Sequence, residues 1–224
     1  MKNPWFNLTA KPPFVLDEDR SFLDSFNSRH RGSVKEIILD EMPSPYIGNP
    51  EASVIFLNLN PGYVAGESAS PIISRFREMA KANLLHQFFD YPFYPLDPTL
   101  EGTPSGYRWF TQKFNPLIIA SGMSSRALSQ KIFLVEYFPY RSQKYGWDSN
   151  FLLSQEYSID LVKKAISRQA IVVIMRGEAL WLSALPILRE YSNRCTLHSP
   201  QNVTISENNL GEEGFRAIMN KLRG

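Results

Sequence analysis

The chain has 224 residues, of which 43% are hydrophobic and 21% are charged. This length and composition are typical of one folded domain with a substantial core, and they exclude a disordered or fibrous chain. The 24 lysines and arginines and 22 acidic residues give a net charge of +2, which sets no strong overall field, so binding to DNA requires a local patch.

Residues 1–50 contain several prolines around one segment with helical character, residues 17–26. Because proline interrupts regular structure, we expect an ordered but irregular N-terminal extension that wraps the core. The sequence contains no internal repeat and no linker long enough to separate two units. Residues 1–224 are therefore predicted to form a single domain.

Strand-like and helix-like segments alternate after residue 50. Four apolar runs rich in β-branched and aromatic residues predict strands at residues 53–57, 131–138, 170–175 and 194–197. Helical spacing predicts helices at residues 72–89, 107–121, 159–167, 178–191 and about 212–222. This alternation is typical of parallel strands joined by right-handed crossovers. The predicted fold class is α/β, a three-layer α/β/α sandwich around a mostly parallel four-stranded sheet.

The connection at residues 88–105 is unusual, because it combines four prolines with five aromatic residues. In open α/β sheets, ligands bind outside the carboxyl ends of the strands. The segment is therefore either the wall of a pocket or a loop that tucks its rings into the core. Phe93 and Tyr94 are the candidates for a pocket wall.

Cys195 is the only cysteine, which excludes an internal disulfide, a thiolate-ligated zinc finger and a four-cysteine iron–sulfur cluster. Prolines near the N-terminus replace the apolar segment of a secretory signal, and apolar runs such as residues 170–175 are far shorter than the roughly 20 residues that cross a bilayer. We expect a cytoplasmic protein with no membrane contact. Phosphate-loop, dinucleotide, metalloprotease and nucleophile-elbow motifs are absent, so no cofactor and no metal are predicted.

Two turns follow predicted strands directly. Asn58 to Tyr63 follow the first strand and include Asn60-Pro61-Gly62, and His198 to Asn202 follow the last one. Taken alone, Asn-Pro-Gly is an ordinary turn sequence and a histidine beside a turn is usually a surface hydrogen-bonding residue. Their joint occurrence after two strand ends indicates a ligand site.

These turns resemble two motifs of the uracil-DNA glycosylase superfamily, most closely its single-strand-selective and mismatch-specific branches. Residues 54–62 resemble an apolar strand followed by Gly-x-Asn-Pro-Gly, with Asn58 in the place of the first glycine. Residues 198–202 are similar to His-Pro-Ser-Pro-Arg-Asn with one proline missing. In residues 135–139, Glu136 takes the place of an asparagine that reads uracil. The resemblance covers the core from about residue 53 onward and implies the fold of that superfamily.

The resemblance also implies a monofunctional, metal-free DNA glycosylase that hydrolyses the N-glycosidic bond of a damaged or modified base. Asn60 would orient water and His198 would donate to the leaving base, the two demands of this chemistry. Neither motif contains a lysine that could form a Schiff base. We expect Asn60, Glu136 and His198 to converge on one pocket, since parallel strands end at the same edge of a sheet.

The base must be extruded from a duplex or already single-stranded, and an aromatic pocket must receive it. The candidates for stacking are Tyr63, Phe93 and Tyr94. An ionised Glu136 only accepts hydrogen bonds and opposes the O4 atom of uracil, whereas a protonated one pairs with cytosine-like or adenine-like edges. Activity on uracil is therefore predicted to be weak, unless Glu136 only forms an ion pair with Arg141.

Polar residues beside the motifs are candidates for contacts with DNA phosphates and grooves. These residues are Arg141, Ser142, Lys144, Ser199, Gln201 and Asn202. Two further functions remain open. The chain is alternatively a non-catalytic nucleic-acid or nucleotide binder with a diverged site, or an enzyme that acts on a small nucleoside.

Overall fold

The computed structural model describes residues 1–64, 71–147 and 151–224. Within these ranges five strands form one sheet. They are β1 (Tyr46–Gly48), β2 (Val54–Asn58), β3 (Ile132–Glu136), β4 (Ile171–Ile174) and β5 (Arg194–Thr196). The strand order is β1-β3-β2-β4-β5, in which β1 is antiparallel to β3 and the other neighbours are parallel.

The predicted count of four strands is wrong, because β1 was missed. This strand has only three residues, too few to show a periodic pattern. Its last residue, Gly48, has a φ of 103°, and a Cβ atom there would lie 2.6 Å from the Ile132 carbonyl oxygen. Glycine is therefore required for β1 to approach β3 so closely. The four predicted strands are confirmed; β2 is shifted by one residue toward the C-terminus, and the other three are shorter than predicted.

Helices cover both faces of the sheet. They are α1 (Asp17–His30), α2 (Pro71–Leu84), α3 (Trp109–Ser121), α4 (Ser125–Ser129), α5 (Leu153–Ser167), α6 (Glu178–Ala184) and α7 (Glu207–Arg223). Successive residues of the central strands point into two hydrophobic clusters, one shared with α1, α5 and α6 and the other with α2, α3 and α7. This alternation is what a parallel sheet buried on both faces requires.

Several helix boundaries differ from the predictions, and two of the differences lie at a proline or a glycine. The segment predicted as one helix at residues 178–191 breaks into α6 and a short 3₁₀ turn at Pro186–Arg189, since proline has no N–H for a helical hydrogen bond. Helix α7 begins five residues before the predicted start and is kinked at Gly211, where φ is 73°. Helix α5 also begins earlier than predicted, at Leu153.

The N-terminal extension contributes buried residues to the core. Trp5 and Leu16 are almost fully buried, and the Tyr140 hydroxyl donates to the Asp19 carboxylate at 2.8 Å. Burial is the main cause that raises the pKa of Asp19, against hydrogen bonds from Ser154 and Tyr140. In the described parts of the chain, none of the helices has the length and apolar character that crossing a membrane requires.

Candidate functional site

A cavity of about 620 Å³ lies at the carboxyl ends of β2, β3 and β4. The chain forms β3 on one side of β2 and then crosses to form β4 on the other side. Such a reversal opens a crevice outside the strand ends, which is where ligands bind in open α/β sheets. Asn58 lines the cavity from the end of β2, Asn60 from the turn after it, Glu136 from β3, and Arg176 from just after β4.

Aromatic side chains form much of the cavity wall. They are Tyr63, Phe76, Tyr94, Trp109, Phe110 and Tyr145. Tyr94 packs edge-on against Phe76, with ring centroids 5.2 Å apart, and burial raises its pKa to about 12. Tyr94 is therefore a neutral phenol at physiological pH. A wall of this kind suits a planar apolar or heterocyclic ligand.

Phe93 does not line the cavity, so the prediction that it stacks on a ligand is not met. Its side chain is fully buried, and its ring contacts those of Phe110 and Phe114 at centroid distances of 5.3 and 5.4 Å. Since Phe110 itself reaches the cavity, Phe93 supports the wall from behind. The segment at residues 88–105 thus supplies both a wall residue, Tyr94, and a core residue, Phe93.

Glu136 is buried at the floor of the cavity, with only 3% of its surface exposed. Asn58 Nδ2 donates to Glu136 Oε1 at 3.0 Å, and the two residues are register partners on β2 and β3. Glu136 Oε2 and Asn58 Oδ1 are buried and have no hydrogen-bond partner among the described residues.

Burial raises the pKa of Glu136 to about 8, against the lowering effects of the Asn58 hydrogen bond and of the charges of Arg176 and Arg141. At neutral pH most Glu136 side chains therefore carry a proton. No ion pair between Glu136 and Arg141 forms, because Arg141 Nε donates to the Met42 carbonyl and Nη1 to the Gly62 carbonyl, both at 3.0 Å. Arg141 thus holds the Asn-Pro-Gly turn against the chain before β1 with two of its nitrogen atoms.

Asn60 is held by the segment that follows β3. Its Nδ2 atom donates to Ser142 Oγ at 3.0 Å and to the Pro61 carbonyl at 3.2 Å, which leaves Oδ1 without a partner among the described residues. Ser142 is 1% exposed and donates its own hydroxyl hydrogen to the Lys144 carbonyl. The predicted role of Ser142 in phosphate binding is replaced by a role in fixing Asn60. The exposed Lys144 side chain lies at the cavity mouth.

His198 lies outside the cavity lining, so only two of the three predicted site residues converge. β4 separates β5 from β2, and adjacent strands are about 4.8 Å apart, which places the end of β5 roughly 10 Å from the end of β2. The imidazole is exposed and faces the kink at Gly211, where an added Cβ atom would lie 3.6 Å from His198 Cε1.

The turn after β5 is fixed chiefly by Asn209. The Asn209 side chain accepts from the Ser199 N–H at 2.8 Å and donates to the Asn202 carbonyl at 2.6 Å. Asn202 Oδ1 also accepts from Lys113 Nζ at 2.9 Å. Ser199 and Asn202 are thus partly committed to the turn itself, whereas the Gln201 side chain is exposed. None of these three predicted DNA contacts lines the cavity.

Arg176 connects the cavity to this turn and was missed in the sequence. Its Nε atom donates to the Pro200 carbonyl at 2.9 Å and Nη2 approaches the Gln201 carbonyl at 3.4 Å. The signal that identifies it is a cation placed directly after a buried strand end, beside Gly177. With Arg141 and Lys144, Arg176 gives the cavity lining three cationic side chains, and Glu136 is the one acidic side chain among the described lining residues.

In the described ranges no cluster of three or more His, Cys, Asp or Glu side chains could hold a metal ion. No family model, curated protein or solved structure matches the chain at a significant level.

Proposed function

We propose that this chain hydrolyses the N-glycosidic bond of a nucleotide in DNA whose base is extruded or single-stranded, the reaction of the superfamily that its motifs resemble. The observation that carries the proposal is that Asn60 and Glu136 line one aromatic cavity at the strand ends. Cationic side chains of Arg176 and Lys144 on the same lining favour a ligand with phosphates over a neutral nucleoside.

In the proposed reaction, the C1′–N bond of the nucleotide breaks and its electron pair leaves with the base. A water oxygen bonds to C1′, and the proton that this water loses balances the proton that the departing base takes up on its nitrogen, so the products are a neutral free base and an abasic sugar. The Oδ1 atom of Asn60 accepts a hydrogen bond from this water and orients it, while Ser142 fixes the amide. Orientation by a rigid group is a large part of what such a site supplies.

Negative charge develops on the departing base, so a donor near its polar edge stabilises the transition state. A protonated Glu136 at the cavity floor supports this role better than His198, whose ring lies outside the lining. In this proposal, therefore, His198 is assigned to the sugar–phosphate side of the ligand.

The test is a panel of single-stranded and duplex oligonucleotides, each with one modified or mismatched base, assayed for abasic sites. Wild type should form abasic sites with at least one substrate, and Asn60→Ala should not form them above background. Asn220→Ala, an exposed asparagine on α7, is the matched control and should retain full activity. No abasic site from any substrate would refute the proposed hydrolysis.

A second candidate is a nucleic-acid binder that has lost the chemistry. The position of His198 outside the cavity favours it, because the motif that carries this histidine then contributes no group to the reacting centre. This candidate predicts oligonucleotide binding by wild type with no abasic site in any of the panel substrates.

A further inference from the structure

The cavity floor contains a carboxyl group that no cation contacts within ion-pair distance among the described residues. Within the described ranges, Glu136 Oε1 accepts one hydrogen bond, from Asn58, and Oε2 has no hydrogen-bond partner. The described charged groups that act on it are Arg176 and Arg141, both of which donate to backbone carbonyls, and the phenol of Tyr94 lines the same cavity. A buried carboxyl with this environment is stable in its neutral form.

We infer that Asn58 and Glu136 act together as a proton-gated reader, which binds a planar nitrogen heterocycle whose edge carries a hydrogen-bond acceptor beside a donor. The inference rests on the proposed function, because it concerns the base that this cavity receives. It assigns a joint role to two positions at which the chain departs from the motifs that it resembles.

The hydrogen bond between Asn58 and Glu136 determines which donor and acceptor atoms remain for a ligand. Because Asn58 Nδ2 donates to Glu136 Oε1, the amide orientation is fixed and Asn58 Oδ1 remains an acceptor. The proton of a neutral Glu136 then resides on Oε2, which becomes a donor. The pair therefore offers one donor and one acceptor, and it matches a ring nitrogen beside an exocyclic amine or a carbonyl beside a ring N–H. The second edge is that of uracil, so the neutral pair also accepts uracil, and the weak activity on uracil that the sequence predicts applies to the ionised form.

Ionisation of Glu136 reverses the pattern. The carboxylate offers only acceptors, so an acceptor atom on the ligand would then meet negative charge in a buried site. An edge with two adjacent donors, such as N1–H and N2–H₂ of guanine, would instead prefer the ionised form. The direction in which affinity changes with pH thus reports which edge is bound.

The pH range of the change follows from the pKa of about 8 that burial gives Glu136. A group with this pKa is protonated about ten times more often at pH 7 than at pH 9. If the neutral form is the one that binds, affinity should fall by about tenfold over that interval.

The experiment measures binding of single-stranded oligonucleotides that contain one 2′-fluoroarabino nucleotide, whose glycosidic bond resists hydrolysis. Four oligonucleotides carry cytosine, adenine, uracil or guanine, and a fifth carries a base-free tetrahydrofuran. Fluorescence anisotropy gives Kd from pH 6 to pH 9. We expect wild type to bind at least one of the first three bases more tightly than the base-free control. Its affinity for that base should fall about tenfold from pH 7 to pH 9, and its affinity for the base-free control should not.

Two variants isolate the pair. Glu136→Gln keeps a donor and an acceptor at every pH, so its affinity should be independent of pH over this range. Asn58→Ala removes a hydrogen bond that favours the ionised form of Glu136. The midpoint of the pH dependence of binding should therefore move to higher pH. Since a variant can fail to fold, the ¹³C shift of the Glu136 carboxyl in wild type is a second measurement, and saturating ligand should raise its titration midpoint.

Wild-type affinity that does not change with pH, or that rises with pH for a guanine edge, would overturn the reader. Equal affinity for all four bases and the base-free control would overturn it as well. Because these probes are not hydrolysed, the outcome is separate from that of the abasic-site assay. A pH-gated preference without hydrolysis would leave the reader standing and refute only the proposed reaction.

Discussion

Asn58 and Glu136 face each other at the ends of β2 and β3, and Asn58 Nδ2 donates to Glu136 Oε1 at 3.0 Å. A glycine at position 58, as in the motif that this segment resembles, has no side chain to meet the carboxyl. The two departures from the motif pattern are therefore one physical feature. An amide beside a buried carboxyl satisfies one of its oxygens and leaves the other for a ligand.

The pKa of Glu136 has a consequence for stability. The folded protein keeps a proton on Glu136 up to about pH 8, whereas the unfolded chain loses it near its ordinary pKa of 4.5. Between these values the unfolded state binds fewer protons, so the contribution of Glu136 to the free energy of unfolding falls as pH rises. As pH rises, we expect the free energy of unfolding of Glu136→Gln to increase relative to that of wild type by up to about 1.4 kcal/mol per pH unit.

Urea unfolding of both proteins at three values between about pH 5 and pH 8 measures this difference. Glu213→Gln, which removes an exposed carboxylate on α7, is the control and should differ from wild type by a constant amount. If the difference for Glu136→Gln were also constant, Glu136 would titrate in the folded protein as it does in an unfolded chain.

Arg176 should support both the cavity and the turn after β5. Arg176→Gln removes a cation and the hydrogen bonds to the Pro200 and Gln201 carbonyls. We expect roughly tenfold weaker binding of single-stranded DNA at low salt and a salt dependence reduced by about one phosphate contact. Anisotropy titrations at several salt concentrations measure both quantities.

Arg176→Lys separates charge from geometry in this test. It should restore the salt dependence of DNA binding. It should not restore the order of the turn after β5, which amide hydrogen exchange at residues 198–202 reports. Arg216→Gln removes an exposed arginine that pairs with Glu212 on α7 and should change neither quantity. An unchanged salt dependence in Arg176→Gln would show that Arg176 does not contact phosphate.

Asn60 is expected to act on the rate of base release and not on the affinity for DNA. Asn60→Ala should slow single-turnover base release by about a hundredfold with a nearly unchanged Kd, since an oriented water is used only in the transition state. Ser142→Ala removes the hydroxyl that holds the Asn60 amide but keeps Asn60 Oδ1. It should therefore slow base release less than Asn60→Ala does. Equal rates for wild type and Asn60→Ala would exclude the role in orienting water.

The sequence predicts the central strands well because buried parallel strands are continuous apolar runs, as in residues 54–57 and 171–174. It does not reveal β1, whose three residues pair through their backbone with β3. It also does not give the strand order. The strand order places the ends of β2 and β3 side by side, which brings Asn60 and Glu136 together. His198 instead follows β5, which lies on the other side of β4.

Individual side chains of the site were predicted less well, because composition does not show where hydrogen bonds go. Arg141 and Ser142 are predicted phosphate contacts, and the sequence does not show that Arg141 Nε and Nη1 and the Ser142 hydroxyl also hold the Asn-Pro-Gly turn and the segment after β3. Phe93 and Tyr94 are adjacent and both aromatic, but only Tyr94 reaches the cavity. The direction of each side chain is set by packing that no short pattern encodes.

The position of His198 gives the last prediction. Its ring is exposed and outside the cavity lining, and the strand that precedes it, β5, ends roughly 10 Å from the end of β2 by strand spacing. If a base fills the cavity, we expect this imidazole to face the sugar and phosphates, on the side of the turn that Arg176 holds. His198→Ala should weaken DNA binding and the second-order rate of base release by the same factor, leaving the single-turnover rate at saturation unchanged. His30→Ala, on the far end of α1, is the control for loss of a histidine. A single-turnover rate that falls about a hundredfold with unchanged binding would instead make His198 a donor to the leaving base, and would require the turn after β5 to approach the cavity when DNA is bound.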